Sequence, residues 1–499
     1  MGTAKASRGR AYVRAVPRKH LLWLLLAFTV SVAVRAPLLD RPLSGHHELC
    51  TALVLIVLYN WQVDGFAHHH GAPAITFSGP ADLIPPGYTD APALHDGVLY
   101  YLSHPPLAYD LPYALFTLTG TPASALGLQL FNLFFHVLTA IALYLIVREL
   151  RADRNAPSAP LFAAVLYLFM PAPLWFHGNV YMSDMFVQNA WVWHVLVVIR
   201  MYRVPRIGWR WPQLAGITLF TATCISWPGV WAGLVLCVIA MARWWRSRDR
   251  QELRIVLMAV LGVVLALSYT AWRWLQVVDA DALIAYFSGR YVDRGTVLNV
   301  SAWSSLKELL TGYRTGYLPV ILLVVGLAAL RWRRMTSELM GWPFFATLAV
   351  MPVLLDHFLL LQYAGHDFAV LKGGLFLCVA AGLALSTLPS RGSVVALAVA
   401  CLAGVLYFYR TNPIASSTDE AYTRQMEQGL DIATMADDDM VFTLGFTPET
   451  QVQWYAKRTL FRVDSIAQAQ ELLRSAGVGH GLVVTYAEGL ETMERIDAR

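Results

Sequence analysis

Residues 41–61, RPLSGHHELCTALVLIVLYNW, decide how this chain is arranged across a membrane. His46, His47 and Glu48 stand directly before an apolar run. The strongly hydrophobic core of that run has only about ten residues, whereas roughly 20 are needed to cross a bilayer. A crossing here would also transfer every later basic cluster to the other side of the membrane. We therefore predict a helix over 49–61 that lies along the outer membrane surface, with its ionisable residues at the start.

The composition of the whole chain is typical of a polytopic membrane protein. Of the 499 residues 57% are hydrophobic and 14% are charged, and the mean hydropathy is +0.49. About a quarter of the residues of soluble proteins are charged. Roughly eleven apolar stretches predict transmembrane helices, at 21–39, 126–147, 159–177, 184–202, 212–227, 228–242, 254–273, 316–331, 341–360, 367–388 and 393–409.

The basic residues orient these helices. Lys and Arg cluster at 1–19, 148–154, 200–210, 243–254 and 331–334 and at Arg391, and none occurs from 42 to 147. Eleven helices put every cluster in the cytoplasm, as the positive-inside rule requires. We therefore predict a cytoplasmic basic N-terminus over 1–20, a transmembrane domain over 21–410 and a large first outer loop over 40–125.

The C-terminal residues 411–499 differ in composition from the rest of the chain. DMVFTLGF, TLFRV and GLVVTY read as strands, and PETQVQWYAKR and SIAQAQELLRSAG read as helices. This alternation predicts a small soluble α/β domain on the outer side of the membrane.

Polar and ionisable residues gather at the outer ends of the predicted helices and in the outer loops. Channels and ion-coupled transporters instead place ionisable groups at mid-membrane, where this chain has almost none. Chemistry along one water–lipid boundary indicates an amphipathic substrate, such as a lipid-linked headgroup.

Several of these residues have both a structural and a functional interpretation. Glu48 and Asp184 stand at predicted helix starts, where a carboxylate caps the helix and is also held ionised, as a general base must be. Lys372 lies about one turn inside the helix that Asp367 opens, and a phosphate would satisfy this cation. Arg290 is an ordinary loop charge or part of a phosphate site.

Four segments resemble the GT-C membrane glycosyltransferases, in particular bacterial relatives of the dolichyl-phosphate-mannose protein mannosyltransferases and the aminoarabinose transferases that act on lipid A. Glu48 matches an acidic residue of the first outer loop, and His47 stands where the family has a preceding acid. The other three segments are YYLSHPPLAYDLPYALFTLTG (100–120), FHGNVYMSDMFVQNAWVW (176–193) and GHDFAVLKGGLFLCVAAGLAL (365–385). The resemblance covers roughly 20–410.

The resemblance implies an α-helical polytopic membrane protein of GT-C type with a small C-terminal α/β domain. It implies an inverting glycosyltransferase that uses a polyprenyl-phosphate sugar, with Glu48 as general base and Asp184 as a second catalytic carboxylate. The donor phosphate would be bound by Arg290, Lys372 and His104. The remaining predicted substrate contacts are His46, His47, His366 and Asp367.

No cofactor is expected to be required, although the scheme accommodates a divalent cation. The expected partners are the lipid-linked donor, the bilayer and an acceptor that is a glycan, a lipid or a protein, with no nucleic acid. The expected location is a bacterial inner membrane, with the C-terminal domain in the periplasm.

Two other functions compete with this hypothesis. A flippase or transporter for lipid-linked sugars would show internal repeats and mid-membrane charges, and neither is evident in the sequence. A metal-binding membrane protein would use His46 and His47 with the triplet His68-His69-His70. A polar loop explains that triplet better, because three consecutive side chains do not readily face one ion.

Overall fold

The computed structural model of the chain describes residues 16–151, 158–204, 206–295, 302–337, 342–412, 418–487 and 490–498. Most of the predicted basic N-terminus, at 1–15, lies outside these ranges. The helices of the membrane part are α1 Arg18–Arg35, α2 Leu49–Asn60, α3 Leu107–Thr119, α4 Ala125–Leu150, α5 Ala159–Phe169, α6 Pro171–Asn179, α7 Ser183–Arg203, α8 Arg210–Ile225, α9 Pro228–Ser247, α10 Arg250–Trp274, α11 Ala280–Arg294, α12 Ala302–Ser337, α13 Trp342–Leu359, α14 Gly374–Leu385 and α15 Ser390–Thr411.

Each of the eleven predicted transmembrane stretches coincides with a helix or with a bent helix pair. Within the described ranges, seven helices are long and apolar enough to cross a membrane on their own. They are α1, α4, α9, α10, α12, α15 and the continuous stretch Asp367–Leu385, which includes α14. The pair α5–α6 makes an eighth if it counts as one crossing, and the polytopic membrane fold is therefore confirmed.

Two breaks between helices lie near proline residues. Helices α5 and α6 meet at 61°, where Met170 is extended before Pro171. The ring of a proline forces the preceding residue out of the helical conformation and removes a hydrogen-bond donor. The break between α8 and α9 is different: Trp227, directly before Pro228, is helical, and the extended residue is Ser226, which ends α8. Pro228 occupies the first position of α9, where a missing N–H costs nothing.

The bundle has inner helices and helices at its periphery. In the stretch Asp367–Leu385, 83% of the most apolar window is buried by other protein segments, compared with 22% for both α1 and α15. Helix α14 packs directly on α5: a Cβ added to Gly382 would lie 2.7–2.9 Å from backbone and Cβ atoms of Ala163. Small residues permit such close approach of two helices within a membrane.

Helix α2 has the predicted length, but its surroundings correct one expectation. Its apolar side chains do not lie along a lipid surface. Leu55, Val57 and Trp61 are completely buried, and α2 lies against a helix of the C-terminal domain as well as against α3 and α4. Protein on several sides explains why the helix is apolar all round rather than amphipathic.

The C-terminal part forms the predicted small α/β unit and adds one strand. Its elements are α16 Glu420–Met435, β3 Met440–Leu444, α17 Thr450–Ala456, β4 Leu460–Val463, α18 Ile466–Ala476, β5 His480–Ala487 and β6 Leu490–Asp497. Strands β1 Leu94–His95 and β2 Val98–Leu99 form a separate short hairpin in the first outer loop. The sheet order is β4-β3-β5-β6. Strand β3 is parallel to β4 and β5, and the unpredicted β6 is antiparallel to β5.

The first outer loop is attached to this C-terminal unit. Asp82 accepts hydrogen bonds from the backbone N–H of Thr459 at 2.6 Å and from Arg458 at 3.1 Å, and Phe77 N donates to Thr459 Oγ1 at 3.0 Å. The α/β unit therefore holds the loop above the helix bundle.

Candidate active site

A cavity of about 340 Å³, called cavity A, lies between α7, the α8–α9 connection, α10, α11 and the segment that follows α13. Its ionisable residues are His104, Asp184, Arg290, Tyr291, Arg294, Asp356, Tyr363 and Lys372. Its apolar wall is formed by Trp227, Pro228, Val230, Trp231, Leu267, Phe287 and Leu360. A cavity that joins a charge cluster to an apolar wall suits an amphipathic ligand.

Lys372 is the buried centre of this charge cluster. Its Nζ lies 3.3 Å from Asp184 Oδ1 and donates a hydrogen bond to Asp356 Oδ2 at 2.5 Å, and all three residues are at most 3% exposed. Asp184 Oδ2 also accepts a hydrogen bond from the hydroxyl of Tyr363 at 3.2 Å. Buried charges are stable only while they stay paired. The two carboxylates therefore hold Lys372 in place at the cavity wall.

Asp356 was missed in the sequence analysis. It stands inside the apolar stretch 341–360, and an acidic residue within such a stretch is by itself a sign of function.

Arg290 and Arg294 extend from α11 without a carboxylate partner among the described residues. The Cζ of Arg290 lies 5.3 Å from the ring centre of Tyr286 and 5.6 Å from that of Tyr101. The Cζ of Arg294 lies 5.3 Å from the ring centre of Tyr363. An aromatic face stabilises a guanidinium without using up its N–H donors. Both cations can therefore bind an anion in cavity A.

His104 offers a second kind of contact to the same cavity. Its Nδ1 lies 2.8 Å from the hydroxyl of Ser183, and its Nε2 is buried without a hydrogen-bond partner in the described part of the chain. Burial lowers the pKa of His104 to about 4, so the ring is neutral at physiological pH. If the hydroxyl of Ser183 donates to Nδ1, the Nε2–H becomes a free donor that faces the cavity.

Glu48 does not share cavity A with Asp184, the other predicted catalytic residue. It is 0% exposed and lines neither cavity A nor the second cavity described below. Its carboxylate accepts hydrogen bonds from the backbone N–H groups of Ser44 (2.7 Å) and Gly45 (2.5 Å), from Asn179 Nδ2, and from both Nη atoms of Arg41. Burial raises the pKa of this carboxyl, and Arg41 and the amide donors oppose the rise.

These bonds shape the loop 41–48, which the C-terminal unit also holds. Leu43 N donates to the Tyr455 hydroxyl at 2.8 Å, and the Ser44 hydroxyl donates to the Tyr422 carbonyl at 3.0 Å. The Arg41 guanidinium lies 4.3 Å from the ring centre of Tyr422. In this structure Glu48 is therefore the anchor of a loop that presents the two preceding histidines.

The two histidines meet Asp367, which is more than 300 residues away in the chain. His46 Nε2 lies 2.9 Å from Asp367 Oδ2, and His47 Nε2 lies 3.0 Å from Asp367 Oδ1. The hydrogen bond to Asp367 raises the pKa of His46. The ring of His366 lies 5.5 Å from that of His47 and stacks on Phe368.

His46 and Asp367 line a second cavity of about 360 Å³, called cavity B, together with Trp175, Thr315 and Tyr422. The 3₁₀ segment Asp367–Gly373 borders both cavities, and the segment before it, Leu361–Gly365, borders cavity A. Tyr363 and Lys372 line cavity A, and Asp367 lines cavity B.

The structure thus divides the predicted site residues into two groups. Asp184, Arg290, Lys372 and His104 share cavity A. A second group forms around cavity B and the loop that ends at α2, and its members are His46, His47, Glu48, His366 and Asp367. The histidine triplet belongs to neither group: His69 Nε2 lies 3.0 Å from Asp64 Oδ2, and no cluster of three potential metal ligands in the described ranges includes the triplet.

No protein-family model matches the sequence, and no curated protein matches it. Solved structures match over almost the whole chain. Crystal structures of ArnT from Cupriavidus metallidurans superpose with a TM-score of 0.62 bound to undecaprenyl phosphate (15% identity, 93% of each chain) and 0.61 in the apo state (14% identity, 94% of each chain). The oligosaccharyltransferase AglB from Archaeoglobus fulgidus, in complex with an inhibitory peptide and a dolichol-phosphate, superposes with a TM-score of 0.57 at 12% identity, over 94% of this chain and 69% of AglB.

ArnT and AglB are GT-C glycosyltransferases. At these identities the likeness shows the fold alone, and it confirms the GT-C membrane fold to which the sequence resemblance pointed.

Proposed function

We propose that this chain, which has the GT-C membrane fold, is a glycosyltransferase that moves a sugar from a polyprenyl-phosphate donor to an acceptor hydroxyl. The observation that carries the proposal is cavity A, where Arg290, Arg294 and Lys372 stand beside a wall of aromatic and aliphatic side chains. The ArnT and AglB structures that contain undecaprenyl phosphate and dolichol-phosphate support a lipid-linked donor.

The phosphate of the donor is assigned to the cationic end of cavity A. Arg290 and Arg294 supply planar N–H donors, Lys372 supplies a point charge, and His104 Nε2–H supplies a neutral donor. The first carbons of the lipid tail would follow the apolar wall. Preorganised cations of this kind stabilise charge that develops on a leaving phosphate.

The transfer itself is a single displacement at the anomeric carbon. The acceptor oxygen forms a bond to that carbon from the face opposite the phosphate, the bond between the carbon and the phosphate oxygen breaks, and the configuration inverts. The lipid phosphate leaves with the bonding electron pair, and a carboxylate takes the acceptor proton. A lipid phosphate is already a good leaving group, so the scheme does not require a metal ion.

Asp184 is the carboxylate that we assign to the proton. It lines cavity A and contacts Lys372, and a phosphate that binds Lys372 competes for the lysine and frees an oxygen of Asp184. Glu48, the base expected from the resemblance, has its oxygens occupied by donors. Glu48 remains the alternative base, and its use requires the pair with Arg41 to open.

The acceptor is assigned to cavity B, which lies across the segment 361–373 from cavity A. His46, His47, His366 and Asp367 supply donors and acceptors for the hydroxyl groups of a glycan, a lipid or a protein. The distribution of the basic clusters supports an outer position for both cavities, and we assign them to the periplasmic side of a bacterial inner membrane.

Turnover of a labelled donor tests this function. Full-length protein in proteoliposomes is given polyprenyl-phosphate sugars with a radiolabelled sugar, together with a membrane extract as the source of acceptors. We expect label in a new product and an equal release of polyprenyl phosphate. Asp184→Asn and Arg290→Gln should abolish or greatly slow this transfer, whereas the exposed outer cation Lys307 should tolerate a change to Gln.

A flippase would behave differently in the same assay. It would move the labelled donor between leaflets without forming a glycosylated product. That result, across a panel of donor sugars, would refute the transferase function.

A further inference from the structure

We propose that His46, His47 and Asp367 form a binding site for one divalent transition-metal ion of the zinc class. The site lies apart from the cations of cavity A. It uses three residues of the acceptor site assigned above, but binding of the ion itself requires neither donor nor acceptor. It joins the loop that precedes α2 to the segment that precedes α14. Neither segment alone carries a sequence motif for metal binding.

The ligand atoms already lie close to the arrangement that a metal requires. Asp367 stands between the two imidazoles, with N–O distances of 2.9 and 3.0 Å, and the three ligand atoms lie within 4.8 Å of one another. Ligands on tetrahedral zinc, with bonds of about 2.0–2.1 Å, are roughly 3.3 Å apart. The two N–O distances would have to lengthen by a few tenths of an ångström, and the separation of the two histidine nitrogens, which is at most 4.8 Å, would have to approach the same value.

Two buried atoms at this place are poorly paired. His47 Nε2 and Asp367 Oδ1 face each other at 3.0 Å as an ion pair, but neither forms a hydrogen bond of acceptable geometry in the described part of the chain. An ion bound between them would contact both atoms at once.

The loop that carries the histidines is held in an unusual conformation. His47 has a φ of +60°, which is unfavourable for a residue with a Cβ. The Glu48 bonds to Ser44 and Gly45 maintain it, and Trp175 Nε1 donates to the His46 carbonyl at 3.2 Å. Strain of this kind persists where the surrounding structure enforces it, and such positions cluster at ligand-binding sites.

The chemistry of the ligand set selects the ion. Two imidazoles and one carboxylate suit zinc, cobalt, nickel or iron(II), whereas magnesium and calcium prefer oxygen ligands. Three protein ligands leave a coordination position open, and both His46 and Asp367 line cavity B. A hydroxyl or carboxylate of a molecule in that cavity could complete the shell.

Metal binding can be measured directly on the purified protein. Full-length protein without a histidine tag is stripped with a chelator and titrated with Zn²⁺ by calorimetry, and Co²⁺ is followed by its visible absorption. We expect one ion per chain, and at least ~10-fold weaker binding in His47→Ala and in Asp367→Asn. The matched control His68→Ala/His70→Ala removes two exposed histidines of the same outer loop and should bind as the wild type does.

The outcomes separate the proposal from its alternatives. If the wild-type protein binds no zinc at neutral pH, the proposed site is wrong. Asp367 and the two histidines would then form only hydrogen bonds and ion pairs with one another. Equal binding by wild type and Asp367→Asn, or loss of binding in the control, would place the metal elsewhere. If His47→Ala does not fold, the half-exposed His46, changed to Ala, provides the same test. No donor is present, so the result is independent of the proposed transferase activity.

Discussion

The buried pair of Arg41 and Glu48 gives the sharpest test of what Glu48 does. Replacing Glu48 by Gln removes the negative charge and turns one oxygen into an NH₂ group, which then faces N–H donors. Arg41, which is 3% exposed, keeps the Pro42 carbonyl at 3.0 Å, the ring of Tyr422 and at most one neutral amide oxygen, but it loses its only anionic partner among the described residues. Breaking one partner of a buried ion pair typically costs about 3–5 kcal/mol. We therefore expect Glu48→Gln to lower the thermal unfolding midpoint clearly.

A double variant distinguishes an anchor from a catalytic base. In Arg41→Met/Glu48→Met both charges are gone, so the part of the loss that comes from an unpaired buried charge should return. The part that comes from the N–H groups of Ser44, Gly45 and Asn179, which still lack their acceptor, should remain. If Glu48 acts only as an anchor, the stable double variant should also regain part of its transfer activity. If Glu48 is the base, the double variant should be stable and inactive.

The stability result stands even if the assigned activity is wrong. Wild type, Arg41→Met, Glu48→Met and the double variant form a double-mutant cycle that gives the interaction energy. Glu48→Gln is measured beside them in the same detergent at the same heating rate. A single variant Glu48→Gln as stable as the wild type would refute the reasoning. A double variant whose loss equals the sum of the two single losses would refute it too.

Three further results are expected. Lys372→Met should destabilise the protein by about 3–5 kcal/mol because two buried carboxylates lose their cation, and an unchanged unfolding midpoint would contradict that cluster. Arg290→Gln should weaken donor binding by about 1.5–3 kcal/mol and leave the thermal unfolding midpoint unchanged. Binding is measured by titration with polyprenyl phosphate, with Lys307→Gln as the control. Equal affinities of the two variants would remove Arg290 from the site. The pKa of His104 is about 4 in the folded protein, compared with about 6.5 in the unfolded chain. Between these two values the folded state binds fewer protons than the unfolded state. The contribution of His104 to stability therefore falls as the pH drops from 6.5 towards 4. At pH 5 this lowers the free energy of unfolding by about 2 kcal/mol. Between pH 7.5 and pH 5, His104→Gln, which lacks the titrating group, should therefore lose about 2 kcal/mol less stability than the wild type. Equal losses in the two proteins would contradict a buried neutral ring.

Local properties of the sequence were enough to predict the helical framework. Runs such as 126–147 and 393–409 are apolar over the thickness of a bilayer, and the strands at 440–444 and 480–487 follow from β-forming residues bounded by turns. Short motifs such as SHPPL at 103–107 are local features too, and the resemblance that indicates the GT-C fold rests on such motifs.

The partners of individual side chains could not be predicted from the sequence. Glu48 stands at the start of α2 as expected, but its role as an anchor depends on Arg41 and Asn179, and the latter comes from α6. Helix α2 is apolar all round because the C-terminal unit covers it, and no periodicity within 49–61 carries that information. Strand β6 was missed because its alternating charged residues resemble a solvated loop.

Hydropathy and backbone preference act over a few neighbouring residues, so the order of residues alone was sufficient for the helices and the α/β unit. The contacts of Lys372 with Asp184, and of Asp367 with His46, join segments 188 and 321 positions apart. Which charges share a cavity depends on how the helices pack and on where 3₁₀ turns such as Asp367–Gly373 direct their side chains. These long-range arrangements, which the burial of paired charges stabilises, were settled only by the tertiary structure.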